Sequence, residues 1–181
     1  MSSLTELPMV STKPSATFRN QSASEISHKI DERLDQTGLR QLCLDAGADD
    51  VGFVEIDRPD LEKDRPDMLN AFPHTKTLIS FVVRMNREPI RSPARSVANL
   101  EFHHTGDQVN EVARTIVKQL EARGIRALNP AMGFPMEMDH FPGKIWVASH
   151  KTVAVAAGLG QMGIHRNVIH PKFGNFILLG T

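Results

Sequence analysis

Residues 77–84 read Thr-Leu-Ile-Ser-Phe-Val-Val-Arg, a nearly continuous apolar run rich in β-branched side chains. A strand with one wet face alternates apolar and polar residues; a run without alternation predicts a strand buried on both faces, in the middle of a sheet. Working outward, VGFVEI over Val51–Ile56 predicts a second, shorter strand. It follows an apolar spacing of Ile26, Ile30, Leu34, Leu39, Leu42 and Leu44 that is roughly helical, with Thr37-Gly38 able to divide it into two helices. Between the two strands, Asp57–Asn70 is charged and interrupted by proline, with Leu61, Met68 and Leu69 available to pack a short helix.

Beyond the central strand, Met85–Asn99 holds two prolines and three arginines and reads as an excursion across a site or a partner. The strongest helical stripe is Val109, Val112, Ala113, Ile116, Val117 and Leu120, which predicts a helix over about 107–123 stopped by Gly124. Ile125–Leu128 then reads as a strand. Asn129–Lys144 (NPAMGFPMEMDHFPGK) opposes any regular element through its three prolines. Trp146–Ala157 predicts a helix, broken at Gly158-Leu159-Gly160, and Phe173–Leu179 a last strand. Residues 1–23, rich in Ser, Thr, Pro and Asn, lack the apolar surface to offset their ordering entropy and read as a disordered tail. The fold is expected from residue 24 to 181, as one α/β (α+β) domain with a central sheet flanked by helices.

The chain carries 21 basic and 21 acidic residues, so no whole-molecule field steers it to nucleic acid or anionic lipid. One cysteine, Cys43, excludes an internal disulfide and a self-contained thiolate cluster. No apolar run nears the roughly 20 residues that span a bilayer, and the first residues lack the apolar stretch of a secretory signal. The expectation is a cytoplasmic protein without a membrane partner. Eight histidines raise the question of a metal, but His103-His104 point different ways on a helix or strand, and His165 and His170 fit no common zinc spacing. No protein-ligated metal is expected.

Three features bear on chemistry. Gly158-Leu-Gly-Gln-Met-Gly163 has the G-x-G-x-x-G spacing of a dinucleotide loop, yet it follows a helix and leaves no room for the acidic ribose partner about 20 residues on. Its glycines still require close backbone approach, by a packed neighbour or a flat ligand. Asp139 and Glu137 sit among methionines in the proline-rich loop. An acid held against apolar groups can keep a proton to donate; a solvated pair would not. Arg84, Arg87 and Arg91 follow the central strand and can take a substrate or cofactor phosphate, or stay solvated.

The segment Ala154-Val-Ala-Ala-Gly-Leu-Gly-Gln-Met-Gly-Ile-His165, followed by Gly174-Asn-Phe-Ile-Leu-Leu-Gly180, resembles the epoxyqueuosine reductases, whose motifs look like A-G-L-G-W-x-G-K and then G-S-F/W-F-x-L-G-E. Gln161 stands where that family has Trp, and Ile164-His165 where it has Lys. The resemblance implies a nitroreductase-like, corrinoid-binding core with a central mixed sheet, similar to the cobalamin-binding part of reductive dehalogenases. It implies cobalamin as cofactor, held at Gly158, Leu159, Gly160, Gly163 and His165, and a proton from Asp139 or Glu137. In the family, a ferredoxin-like domain with two 4Fe–4S clusters comes next; such a domain is absent up to Thr181. The function so implied is that of the N-terminal part of an iron–sulfur, cobalamin-dependent oxidoreductase, acting on a tRNA nucleoside or a small molecule with a ferredoxin-like domain or separate electron donor as partner. The alternative is a non-catalytic corrinoid- or flavin-binding protein, or an inactive remnant.

Overall fold

The computed structural model describes residues 34–133 and 147–181. The expected tail, the helix start near Ser24 and the acids Glu137 and Asp139 lie outside the described residues. Helix α1 spans Gln36–Asp45, capped by Asp35, whose carboxylate accepts the Gly38 N–H at 2.7 Å. The Thr37-Gly38 pair thus lies in the first turn of a new helix. Strand β1 is Asp50–Glu55, a 3₁₀ turn covers Pro59–Leu61, and helix α2 is Arg65–Ala71. Strand β2, Thr77–Arg84, lies between β1 and β5 (Ile177–Gly180), and both pairings are antiparallel. The mixed sheet expected from the resemblance is therefore an antiparallel one here, flanked by helices as expected.

β2 is central because both of its faces are covered. Phe81 and Val83 pack with Val51 under α1 and helix α4, Arg95–Glu121, through Leu42, Val109, Val112, Ile116 and Leu120. Val82 points the other way, onto Ala154 of helix α5 (His150–Ala156) and onto Leu159, Val168, Phe173 and Ile177. A third cluster joins Val54, Leu61, Met68, Ala148 and Val153 at one end of the sheet, so Leu61 and Met68 are the packing residues of the short helical stretch. Burying one such large side chain contributes about 1.5–3 kcal/mol, which explains why this run carries no polar interruption except Ser80. That hydroxyl is buried and donates to the Gly180 carbonyl of β5 at 3.4 Å.

Four expectations change. The excursion after β2 is short: helix α3 takes Arg87–Arg91, and α4 starts at Arg95 instead of near Asp107. Its first turns carry Val97, Leu100 and Phe102 on the exposed side, so they lack the core stripe that makes a helix visible in sequence. Ile125–Leu128 is not a strand; Ile125 and Leu128 are exposed, and the segment pairs with no strand among the described residues. The helix after the proline-rich loop begins at His150, where Ser149 caps it by accepting the Thr152 N–H. A small hairpin, β3 (Gln161–Met162) with β4 (Val168–Ile169), precedes a last strand that runs Ile177–Gly180 rather than Phe173–Leu179.

Candidate functional site

Two features of the second face of the sheet concern function: the glycine turn with its hairpin, and a basic cleft at the end of β2.

Gly158 ends α5 in the left-handed region, φ 79°, with nothing within 4 Å of where a side chain would begin. It acts as a helix stop open to its surroundings. Leu159 turns inward and is 4% exposed, part of the cluster under Val82. Gly160 is needed for close approach: a Cβ there would stand 2.4 Å from the Ile169 carbonyl oxygen and 2.9 Å from Val168 Cγ1. At Gly163 a Cβ would meet the His165 ring at 2.5 Å. Of the two partners sequence left open for these glycines, the chain's own hairpin fills the space at Gly160 and Gly163. Gly158, His165 and the apolar Met162, Ile164 and Ile169 are exposed. Lys151 of α5 holds the hairpin tip through the Arg166 carbonyl and Asn167 Oδ1, at 2.8 and 2.9 Å.

The second feature is a cleft of about 460 Å³ lined by Arg84, Met85, Asn86, Arg87, Lys172 and Phe173. Its geometry rests on His170, which is buried. Nδ1 accepts the backbone N–H groups of Lys172 and Phe173, at 3.1 and 3.3 Å. The proton therefore belongs on Nε2, which donates to Asp50 Oδ2 at 3.0 Å. The imidazole also stacks on Phe173, with centroids 4.8 Å apart and 17° between planes. Asp50 in turn receives the Arg40 guanidinium and the Val51 N–H. Burial pushes the Asp50 carboxyl upward, but the hydrogen bonds from Arg40, Val51 and His170 outweigh it and hold the group below its ordinary range. At the opposite wall, Glu101 of α4 accepts from the Asn86 N–H at 2.7 Å and from its amide at 3.3 Å, which docks the exposed start of α4 against the strand end.

Of the three arginines named from the sequence, Arg84 and Arg87 line the cleft and Arg91 lies beside Arg87 over Phe176; the structure adds Lys172, which sequence reading missed. No local signal marks Lys172; it reaches the cleft because the loop before β5 is anchored by His170. His103 and His104 are exposed on α4. His150, at the start of α5, is buried with Nε2 at 3.1 Å from the Ala131 carbonyl and Nδ1 without a partner among the described residues; burial lowers its pKa. The Cys43 thiol is buried, and burial pushes it up to about 11, with the Arg40 charge opposing. No helix among the described residues is long and apolar enough to cross a membrane.

No protein-family model and no curated protein sequence matches the chain. Among solved structures it is similar to a crystal structure of selenomethionine-labelled epoxyqueuosine reductase, with a TM-score of 0.52 and 15% sequence identity. The likeness covers 80% of this chain and 44% of that one, so the chain spans less than half the length of the protein it resembles. At this identity the relation is one of fold, a distant one, in which helices flank a small antiparallel sheet.

Proposed function

We propose that this chain is the corrinoid-holding, N-terminal part of an iron–sulfur, cobalamin-dependent oxidoreductase of the epoxyqueuosine-reductase type. The observation that supports it most is the fold likeness over 80% of the chain. The order helix α5, glycine turn, hairpin and β5 also follows the two glycine motifs quoted from the sequence.

The residues fit a flat, largely apolar group on the outer side of the turn rather than between the glycines. Leu159 and Gly160 are taken up by the core and the hairpin, whereas Gly158 has free space and Met162, Ile164 and His165 are exposed. Those four would hold the corrinoid, which when bound supplies the electron-transfer chemistry. The chain's own contribution is an apolar surface that excludes water from one side of the group, and a proton from Asp139 or Glu137 of the proline-rich loop. Substrate, iron–sulfur partner and cytoplasmic location belong to the same reading.

The test is a titration of this protein with cobalamin, followed by visible spectroscopy and calorimetry. A saturable shift from the base-on to the base-off spectrum is expected, weakened by Met162→Asp or Ile164→Asp on the exposed hairpin. A spectrum that stays base-on at saturating cobalamin refutes the cofactor assignment and leaves the likeness as one of fold.

A further inference from the structure

We propose that the cleft at the end of β2 is a binding site for an organic phosphate, formed by Arg84, Arg87 and Lys172, with Arg91 beside Arg87 over the ring of Phe176. This site stands apart from the corrinoid reading, because it lies on other residues and requires no cofactor.

Three cations line it from three segments of the chain, Arg84 at the end of β2, Arg87 at the start of α3 and Lys172 before β5, and a fourth, Arg91 at the end of α3, shares the Phe176 ring with Arg87. Among the described residues none of the four is in an ion pair. The acids around them are engaged in other ways. Asp49 Oδ2 accepts the backbone N–H of Arg84, Asp50 serves Arg40 and His170, and Glu101 serves Asn86. Glu88 follows Arg87 on α3 and pairs with none of the four. Like charges this close repel, and a bound anion relieves that repulsion.

The rings hold these cations in place. Arg84 and Lys172 lie 5.9 and 5.2 Å from the Phe173 centroid, and Arg87 and Arg91 lie 5.7 and 5.4 Å from that of Phe176. Cation–π contact restrains side chains that would otherwise lose much rotamer freedom on binding. Guanidinium forks match the tetrahedral oxygens of a phosphate and deliver paired hydrogen bonds, and a doubly charged phosphate offsets more of the cluster than a carboxylate. Met85 and Phe173 are 7% exposed and still line the cleft, so its floor is apolar. A volume of about 460 Å³ takes a small ligand with a compact apolar body as well as its phosphate.

Calorimetry at low ionic strength, with inorganic phosphate, inorganic pyrophosphate and phenyl phosphate as probes, tests the assignment. Saturable binding is expected, tighter for phenyl phosphate than for inorganic phosphate because of the apolar floor. Arg87→Ala and Lys172→Gln, both at exposed positions, should each weaken binding about tenfold with unchanged circular dichroism. Lys118→Ala, an exposed lysine elsewhere on α4, should leave it unchanged. Failure of pyrophosphate to saturate, or equal weakening in all three variants, overturns the site. Phenyl phosphate binding no tighter than inorganic phosphate overturns its assignment to an organic ligand. Cobalamin titration of Arg87→Ala keeps the two readings separate, since its spectral shift should match that of the parent.

Discussion

Replacing Gly160 by alanine tests whether the glycine turn is filled by the protein or left open for a ligand. A methyl group there would stand 2.4 Å from the Ile169 carbonyl oxygen and 2.9 Å from Val168 Cγ1, where ordinary contact begins near 3.4 Å. The valine methyl can rotate away. The carbonyl cannot, because Ile169 pairs with Gln161 across the hairpin. Relief requires β4 to move off the turn, which also disturbs Val168 and its place under Val82. Overpacking of this kind costs about 1–3 kcal/mol, and with backbone as the obstacle the upper end, about 3 kcal/mol, is expected. For a domain of this size that lowers the melting temperature by about 6–12 °C. Gly158→Ala is the internal comparison: its space is free but its φ of 79° is left-handed, so it should cost only about 1 kcal/mol. Urea unfolding followed by far-ultraviolet circular dichroism measures both. A Gly160→Ala protein as stable as the parent would show that the position faces open space, and the hairpin packing described above would be wrong.

Other perturbations address the buried polar groups. His150 titrates below its ordinary value because burial disfavours its charge; the unfolded chain therefore binds its proton first as pH falls. Stability should drop from about pH 6.5 downward, by at most about 1.4 kcal/mol per pH unit, and His150→Gln should flatten that slope in urea midpoints taken between pH 7.5 and 5.5. Asp50, held below its usual 3.8 in the folded protein, contributes stability that is present above that value and lost as pH falls through the folded one. Asp50→Asn should remove this acid-range loss and cost about 1–2 kcal/mol at neutral pH; an unaltered profile from pH 5 to 2.5 would dismiss the Arg40–Asp50–His170 network as a stabilising element. Cys43, fully buried and pushed up to about 11, should resist a disulfide reagent at pH 8 until urea unfolds the chain, and modification of the native protein at the rate of a free thiol would refute its burial.

What could be read from sequence was what burial writes into side-chain type. Residues 78–83 showed a two-faced strand because every one of their side chains is at least partly buried, and the second half of α4 showed itself by its stripe from Val109 to Leu120. Arg95–His104 did not, since helical geometry on an exposed surface asks nothing apolar of the sequence. Ile125–Leu128 misled for the opposite reason: apolar residues there stay exposed. The hairpin strands, two residues each, are too short for any period to be seen. In the candidate site, arginines clustered near one strand end were visible, as was the demand of Gly160 for close approach. The identity of the approaching backbone was not, nor was the arrival of Lys172, because both depend on tertiary pairing. His170 and Asp50 are 120 positions apart and carry no local mark of one another.

The order β1–β2–β5 has a consequence for the chain as it is made. The middle strand meets its first neighbour from the residues just before it, but its second only from residues about 100 positions later, as the Ser80–Gly180 hydrogen bond records. Until Ile177–Gly180 leave the ribosome, the central strand presents one open edge and one bare face. Contacts of such sequence separation form slowly, and an unpaired apolar edge is a template for another chain. During that interval folding competes with self-association, and deletion of Ile177–Thr181 would make the interval permanent.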